Sequence, residues 1–439
     1  MSAKISPVGV SDFSAWPKLK YVAKIRGGAG FPPEEQGQTG NELPFYKVNA
    51  LESSTKNGVL SAPGDTVSSI TAERLGAHIF NPGTTVFAKV GAALLLNRFR
   101  QINCPACLDN NMMGLEPDES RVLPRYLMYA LCTKDLSFVA NPGAVPSVNA
   151  SQIADERIYC PSIVQQTRIA NFLDEQTARI DALIAEKERL DALLGEYRGS
   201  LISAAVMGQL STAIVSAGRV GGGVKPASWR KLSLKRVAEI MPSNVDKHSV
   251  EGELPVRLCN YVDVYNNDRI DDSIDFMVAT ASEAQITRFT LKAQDVLVTK
   301  DSEEPSDIGI PAYVPQDMPG ILCGYHLAVL RPDLMRVHGA FLHWALQSTE
   351  VQAYYETAAL GISRYALGIN DLGMTPLHLP DRAEQTRIAN FLDEQTTRID
   401  DLRNHCREHI ALLREYRFSL ISAAVTGQLD IDAFGRQVA

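Results

Sequence analysis

One stretch of this chain is written twice. Gln166–Leu210 reads QTRIANFLDEQTARIDALIAEKERLDALLGEYRGSLISAAVMGQL, and Gln385–Leu429 reads QTRIANFLDEQTTRIDDLRNHCREHIALLREYRFSLISAAVTGQL. About 32 of the 45 aligned positions are identical at a constant offset of about 219 residues, which makes this an internal duplication. Neither copy contains proline, and helix-favouring Ala, Leu, Glu, Arg and Gln dominate both. Each therefore reads as one long helix.

A seven-residue register runs through each copy in alternating steps of four and three. In the first it takes Ile169, Leu173, Gln176, Ile180, Leu183, Lys187, Leu190, Leu194, Tyr197, Leu201 and Ala204. In the second it takes Ile388, Leu392, Gln395, Ile399, Leu402, Cys406, His409, Leu413, Tyr416, Leu420 and Ala423. That is the seam of a left-handed coiled coil. An apolar seam needs a partner, and the chain supplies one in its other copy, so the expectation is an intramolecular antiparallel pair. Gln176 and Gln395 occupy matching seam positions, where a polar residue can set register.

The segments around the helices repeat as well. SAWPKLKYVAKI (Ser14–Ile25) opens the first unit and SWRKLSLKRVAEI (Ser228–Ile240) the second. TTVFAK (Thr84–Lys89) matches DVLVTK (Asp295–Lys300), and Pro161 and Pro380 stand just before the helices. Strands are expected at Thr85–Lys89, Ala93–Arg100, Arg157–Cys160 and Ile321–Arg331, and helices at Pro124–Cys132 and Ala340–Tyr355. Residues 211–227 are rich in Gly, Ser and Ala and read as a linker. The fold class is α+β, with two strand-containing globular segments, two long helices forming an antiparallel coiled coil, and internal pseudo-two-fold symmetry.

Composition sets bounds on function. With 45% hydrophobic and 21% charged residues the chain is of ordinary globular make-up. The N-terminus has no apolar signal core and no stretch reaches the length of a membrane span, so a cytoplasmic location is expected, and the seven scattered cysteines fit reduced thiols. The net charge is −8. The acidity lies mostly in residues 211–384, with 16 Lys+Arg against 22 Asp+Glu, so a nucleic-acid-facing surface there has to be local.

Catalytic patterns are missing. No G-x-x-x-x-G-K-[ST] occurs, and RVGGGVK (Arg219–Lys225) has only its glycines. NPGT (Asn81–Thr84) and NPGA (Asn141–Ala144) lack the aromatic that would stack on a flipped base. Cys104 and Cys107 form a lone C-x-x-C without a second pair for zinc, and His326, His338, His343 and His378 have no metal or triad spacing.

The duplicated helix ends QTRIANFLDEQT and EYRxSLISAAVxGQL, the Trp motif opening each segment, the strands ending in Lys89 and Lys300, CLDNNMMG (Cys107–Gly114) and CGYHLAVLRP (Cys323–Pro332) carry a resemblance over nearly the whole chain. The chain resembles the specificity subunit of type I restriction-modification systems. The resemblance implies target recognition domains at 1–163 and 228–382, spacer helices at 164–210 and 383–429, a linker at 211–227 and a tail at 430–439. It implies a non-catalytic subunit in which each domain reads one half of a bipartite, asymmetric double-stranded DNA site. The helices would set half-site spacing and dock methyltransferase subunits, two of them, with restriction subunits joining through the complex. No cofactor is expected in this chain; S-adenosylmethionine, ATP and Mg would sit on partner subunits. A coiled-coil scaffold carrying two protein-binding domains is the alternative, and retention of DNA separates the two.

The helix-pair interface is expected at Ile169, Leu173, Gln176, Ile180, Leu183, Leu190, Leu194, Tyr197, Leu201, Ile388, Leu392, Gln395, Ile399, Leu402, Leu413, Tyr416 and Leu420. DNA-contact candidates are Lys89 and Lys300 for phosphate or a guanine edge, and Asn110 and Asn111 for adenine. Tyr325 and His326 lie in the strand-rich part of the second segment, and Arg364 and Tyr365 in a loop able to face a groove. Arg98 and Arg100 are candidates for a phosphate or for simple solubility.

Overall fold

The computed structural model of the protein describes residues 15–52, 58–210 and 228–434. The stretch read as a linker, 211–227, lies outside the described residues. Two compact units emerge, one of residues 1–188 with 407–439 and one of residues 189–406. The helices that matter below are α1 (Pro124–Leu131), α2 (Ile163–Val206), α3 (Gly339–Leu346) and α4 (Arg382–Val425). Both long helices stop in the same way. Gly208 and Gly427 take φ of 72° and 74°, and the amides of Gln209 and Gln428 reach back to the carbonyls of Ala204 and Ala423 at 2.8 and 2.9 Å. That is the Schellman ending, and glycine supplies its left-handed residue.

The strands of the first unit are β1 (Ala23–Gly27), β2 (Leu43–Tyr46), β3 (Thr66–Val67), β4 (Thr85–Ala88), β5 (Arg100–Gln101), β6 (Cys107–Leu108) and β7 (Met112–Pro117). They form an antiparallel sheet of order β1-β7-β4-β5 and a sheet of order β3-β2-β6 in which β2 and β6 run parallel. Leu19, Phe87, Leu115, Tyr126 and Leu127 form a core with Leu173 of α2 and Leu420, Ile421 and Val425 of α4.

The strands of the second unit are β8 (Arg230–Ser233), β9 (Ala238–Pro242), β10 (Leu254–Cys259), β11 (Met277–Ala281), β12 (Thr290–Leu291), β13 (Val296–Thr299), β14 (Asp301–Ser302), β15 (Pro311–Tyr313), β16 (Met318–Cys323), β17 (Leu327–Pro332), β18 (Leu360–Gly361), β19 (Tyr365–Ala366) and β20 (Pro376–Leu379). The order β9-β17-β13-β15 repeats the first unit's antiparallel sheet, and β10 with β16 repeats its parallel pair, flanked by β11 and β12. Small ladders β14-β19-β18 and β20-β8 complete it. Leu234, Val296, Phe341 and Leu346 pack with Leu201 of α2 and Ile388 and Leu392 of α4.

Several boundaries differ from the sequence reading. Ala93–Arg100 is not a strand: Ala92–Leu95 is a helical turn, Asn97 takes φ of 49°, and pairing begins only at Arg100. Arg157–Cys160 makes a single bridge, to Lys18. Ile321–Arg331 is two strands separated by a turn at Gly324–His326. Ala340–Tyr355 is two helices, because Gln347 closes the first and Ser348 caps the second by accepting from Val351 N–H.

Within each unit α2 and α4 pack antiparallel. In the first, Arg417 Nε and Nη2 grip Asp181 at 2.8 and 3.2 Å, and Arg414 meets Glu188 at 2.8 Å. In the second, Arg198 Nε meets Asp400 at 3.1 Å and Arg403 Nε meets Asp191 at 2.8 Å. Asp181–Arg417 and Asp400–Arg198 are one interaction with the helices exchanged, since 181 and 198 lie 219 residues before 400 and 417.

The contact row is rotated from the expected seam. Ile169, Leu173, Ile180, Leu201, Ile388, Leu392, Ile399 and Leu420 are buried, and Leu194 and Leu413 are half-buried. Leu183, Leu190, Tyr197, Leu402 and Tyr416 are 41–54% exposed, so they do not form the interface. Gln176 and Gln395 are half-buried beside it. The buried neighbours are instead Thr177 and Thr396, whose hydroxyls donate within their own helix to the carbonyls of Leu173 and Leu392 at 2.7 and 2.6 Å. The row continues through Ile184, Asp191 and Arg198 in α2, and Arg403, Ile410 and Arg417 in α4. Apolarity favoured the leucine row; the actual row tolerates charge because its charges are paired across the helices.

Candidate nucleic-acid interface

Each long helix is locked to its globular segment by the same buried glutamine. Gln166 accepts from Leu123 N–H at 2.8 Å and donates to the carbonyls of Arg121 and Pro161, both at 2.9 Å. Gln385 accepts from His338 N–H at 2.8 Å and donates to the carbonyls of Arg336 and Pro380, both at 3.0 Å. Leu123 and His338 are the N-cap residues of α1 and α3, whose own side chains cap nothing, so the glutamine serves polar groups that would otherwise be buried unpaired. A second tie repeats with changed chemistry. Asp174 takes the Tyr129 hydroxyl at 2.6 Å, and Asp393 takes Trp344 Nε1 at 3.0 Å.

On this frame the candidate residues gather in two clusters, one per unit. Lys89 follows β4, and its amide bonds the Asn111 carbonyl at 2.9 Å; Lys300 follows β13, and its amide bonds the His326 carbonyl at 3.0 Å. The carbonyls of Lys89 and Lys300 accept from Val148 and Leu367, both at 2.9 Å. Each lysine is thus held between a strand-connecting turn and the segment that leads toward the long helix. Asn110 and Asn111 occupy in the first unit the place that Tyr325 and His326 occupy in the second.

In the first cluster the Asp109 carboxylate accepts from Asn111 N–H at 2.8 Å and shapes the turn. Gly28 lies against it so closely that a Cβ would come within 2.1 Å of the Asp109 carbonyl oxygen. A Cβ on Gly27 would sit 3.0 Å from Lys89 Nζ, and one on Gly30 3.9 Å from Asn110 Nδ2. GGAG (Gly27–Gly30) is therefore the floor beside these side chains, and the sequence reading missed it. Its four residues of minimal side chain at the end of a strand were the available signal.

In the second cluster Lys300 Nζ lies 5.3 Å from the centre of the Tyr325 ring, which meets the His326 ring edge-on at 4.8 Å. Asp301 hydrogen-bonds His326 Nδ1, and Arg364 Nη2 lies 3.8 Å from the same carboxylate. Tyr365 is in β19, paired with Ser302 and Gly361. All five candidates of this unit come together around Asp301, which the sequence reading passed over as one more acid in an acidic stretch. Tyr325 is 54% exposed, so its ring faces solvent, with the half-buried Lys300 beside it. Cationic nitrogens, amides and exposed rings at one strand end can contact phosphates, base edges and base faces. Arg98 and Arg100 do not join the first cluster; they line a separate pocket with Cys132 and Arg417.

Residues 16–191 match the family described as type I restriction modification DNA specificity domain. The chain is 22% identical over 343 residues to the type I restriction enzyme EcoBI specificity subunit of Escherichia coli, covering 74% of this chain and 70% of that one. It is 21% identical over 276 residues to the StySPI specificity subunit of Salmonella potsdam, covering 62% of this chain and 57% of that one. Among solved structures, a chain from work on complex assembly and conformational transition of the type I R-M system shares the fold with a TM-score of 0.65. It is 15% identical, with 94% of this chain and 98% of that one covered. A duplicated frame of two recognition segments and two long helices defines the class. The chain is similar to the type I restriction-modification specificity subunits, and the match to their DNA specificity domain covers residues 16–191. No helix among the described residues is long and apolar enough to cross a membrane.

Proposed function

We propose that this chain is the non-catalytic DNA-specificity subunit of a type I restriction-modification complex, and that each globular segment reads one half of a bipartite, asymmetric site. The observation that carries this is one backbone frame holding two different sets of side chains. Lys89, Asn110 and Asn111 stand in the first unit where Lys300, Tyr325 and His326 stand in the second, with Arg364 and Tyr365 beside the latter. Lysines at equivalent strand ends serve the common phosphate backbone, and the variable turn residues serve unlike base edges. The helices act as the spacer between half-sites and dock two methyltransferase subunits; a restriction subunit joins through the assembled complex. S-adenosylmethionine, ATP and Mg belong to those partners.

The test exchanges residues 14–163 for the first segment of another family member, assembles the chain with its methyltransferase, and maps the methylated sites. One half-site changes and the other stays. A change in both half-sites, or in neither, refutes the assignment of one half-site to each segment.

A further inference from the structure

The two units differ at one place inside the shared frame. In the second, each nitrogen of Arg198 has a partner: Nε meets Asp400 at 3.1 Å, Nη1 meets Gln347 Oε1 at 3.2 Å, and Nη2 meets Asp268 at 2.5 Å. Gln347 Nε2 also donates to Asp268, at 3.0 Å. Asp268 is exposed on one side, and its carboxylate is held by Arg198 and Gln347 together.

The register identifies the counterparts. The parallel bridges Arg269–Tyr313 and Val59–Gln101 correspond, as do the pairs Val296–Tyr313 and Thr85–Gln101. Stepping back one residue on each strand sets Gly58 in the place of Asp268 and Arg100 in the place of Ala312. Cys132 caps α1 where Gln347 caps α3, and Arg417 is the counterpart of Arg198. The first unit has thus lost the inserted carboxylate and gained a second guanidinium.

What remains is a cavity of about 390 Å³ lined by Arg98, Arg100, Cys132, Lys134, Arg414 and Arg417, among others. One carboxylate also lines it, Asp135, which accepts from Asn97 Nδ2 at 3.1 Å and Ser137 N–H at 2.9 Å. Four of the five cations have carboxylates of their own: Glu52, Glu156, Glu188 and Asp181. Arg100 has none among the described residues. Its Nη1 donates to the Phe99 carbonyl at 2.9 Å, and its Nε is buried without a partner. A buried guanidinium nitrogen left unpaired is costly.

We propose that this pocket of the first unit is a binding site for a small oxyanion, carboxylate or phosphate, held chiefly by Arg100 with Arg417 beside it. The anion takes the place beside the guanidinium that the Asp268 carboxylate takes in the second unit. Burial, with Arg417 and Arg98 close by, also pulls the Arg100 pKa below the usual guanidinium range, a penalty that a bound anion relieves. The volume exceeds that of a bare carboxylate, so a small organic body fits with it.

The experiment is calorimetric titration of the full chain, at constant ionic strength in chloride, with inorganic phosphate in one arm and malonate in the other. One saturable site is expected in at least one arm, and the arm identifies which oxyanion the pocket takes. R100A, which installs the residue found at position 312, and R100Q, which keeps more of the volume, should each weaken binding by about tenfold or more. Circular dichroism checks that each variant is folded. Saturable binding of neither anion to the wild-type chain overturns the proposal, as does undiminished binding to whichever variant folds.

Discussion

Replacing Gln385 by leucine tests the link between the long helix and its globular segment. The side chain is fully buried and satisfies the His338 N–H and the carbonyls of Arg336 and Pro380. Leucine fills about the same volume and leaves all three backbone groups without a partner. A buried group stranded in this way costs about 1–3 kcal/mol, so after partial relaxation the second unit should lose roughly 3 kcal/mol. With a urea slope of about 2–3 kcal/mol/M for a unit of this size, the midpoint falls by roughly 1–1.5 M. The assay is urea unfolding followed by tryptophan fluorescence in a Trp16→Phe background, where Trp229 and Trp344, both in the second unit, are the reporters. Gln395→Leu is the control, because Gln395 is half-buried beside the contact row, and its effect should stay within about 0.5 kcal/mol. Equal shifts for the two variants would refute the reasoning, since the energy would then not reside in the clamp.

Further outcomes follow from the same geometry. His343 is fully buried beside Trp344, with Nδ1 unpaired, and burial lowers its pKa to about 4. An unfolded histidine takes up its proton near pH 6.5, so the stability from keeping His343 neutral is complete above that pH and is lost as pH falls toward 4, amounting to about 2 kcal/mol by pH 5. Denaturation at pH 7 and pH 5 should show a weaker pH dependence for His343→Gln; an unchanged dependence removes the idea. Inserting four residues within Leu183–Leu194 adds roughly 6 Å of helix and turns the seam by only about 40°, a stutter that the coil absorbs. In methylation mapping, both half-sites should persist with their separation changed by one or two base pairs at about 3.4 Å each; methylation of the original spacing at full efficiency would show that the helices are not the spacer.

The repeated helix was legible because identity at a fixed offset needs no propensity argument. The frame of the two segments was legible at strand ends, where TTVFAK and DVLVTK align, and the clusters at Lys89 and Lys300 followed from that. The helix contact row was not. Adjacent rows of α2 offer Leu190 and Tyr197 on one side and Asp191 and Arg198 on the other, and apolarity selects the former. Only the cross-helix partners, Arg403 and Asp400, make the charged row acceptable, and they lie more than 200 residues away. Asp301 and GGAG were missed for a related reason. One is an acid among acids until His326 and Arg364 converge on it, and the other is empty space until Asn110 and Lys89 border it.

The division of the chain has a consequence for its synthesis. The second unit is one unbroken run, 189–406, and every residue of its core has been made once Cys406 has been added. The first unit is started earlier and finished later, because Leu420, Ile421, Ala424 and Val425 complete the core begun by Leu19 and Leu173. While the ribosome works through the intervening residues, the apolar face of α2 at Ile169, Leu173 and Ile180 has the cover of residues 19–158 but lacks that of Leu420, Ile421, Ala424 and Val425. That interval is the exposed phase of this protein's birth, when a chaperone or a premature partner has its best access.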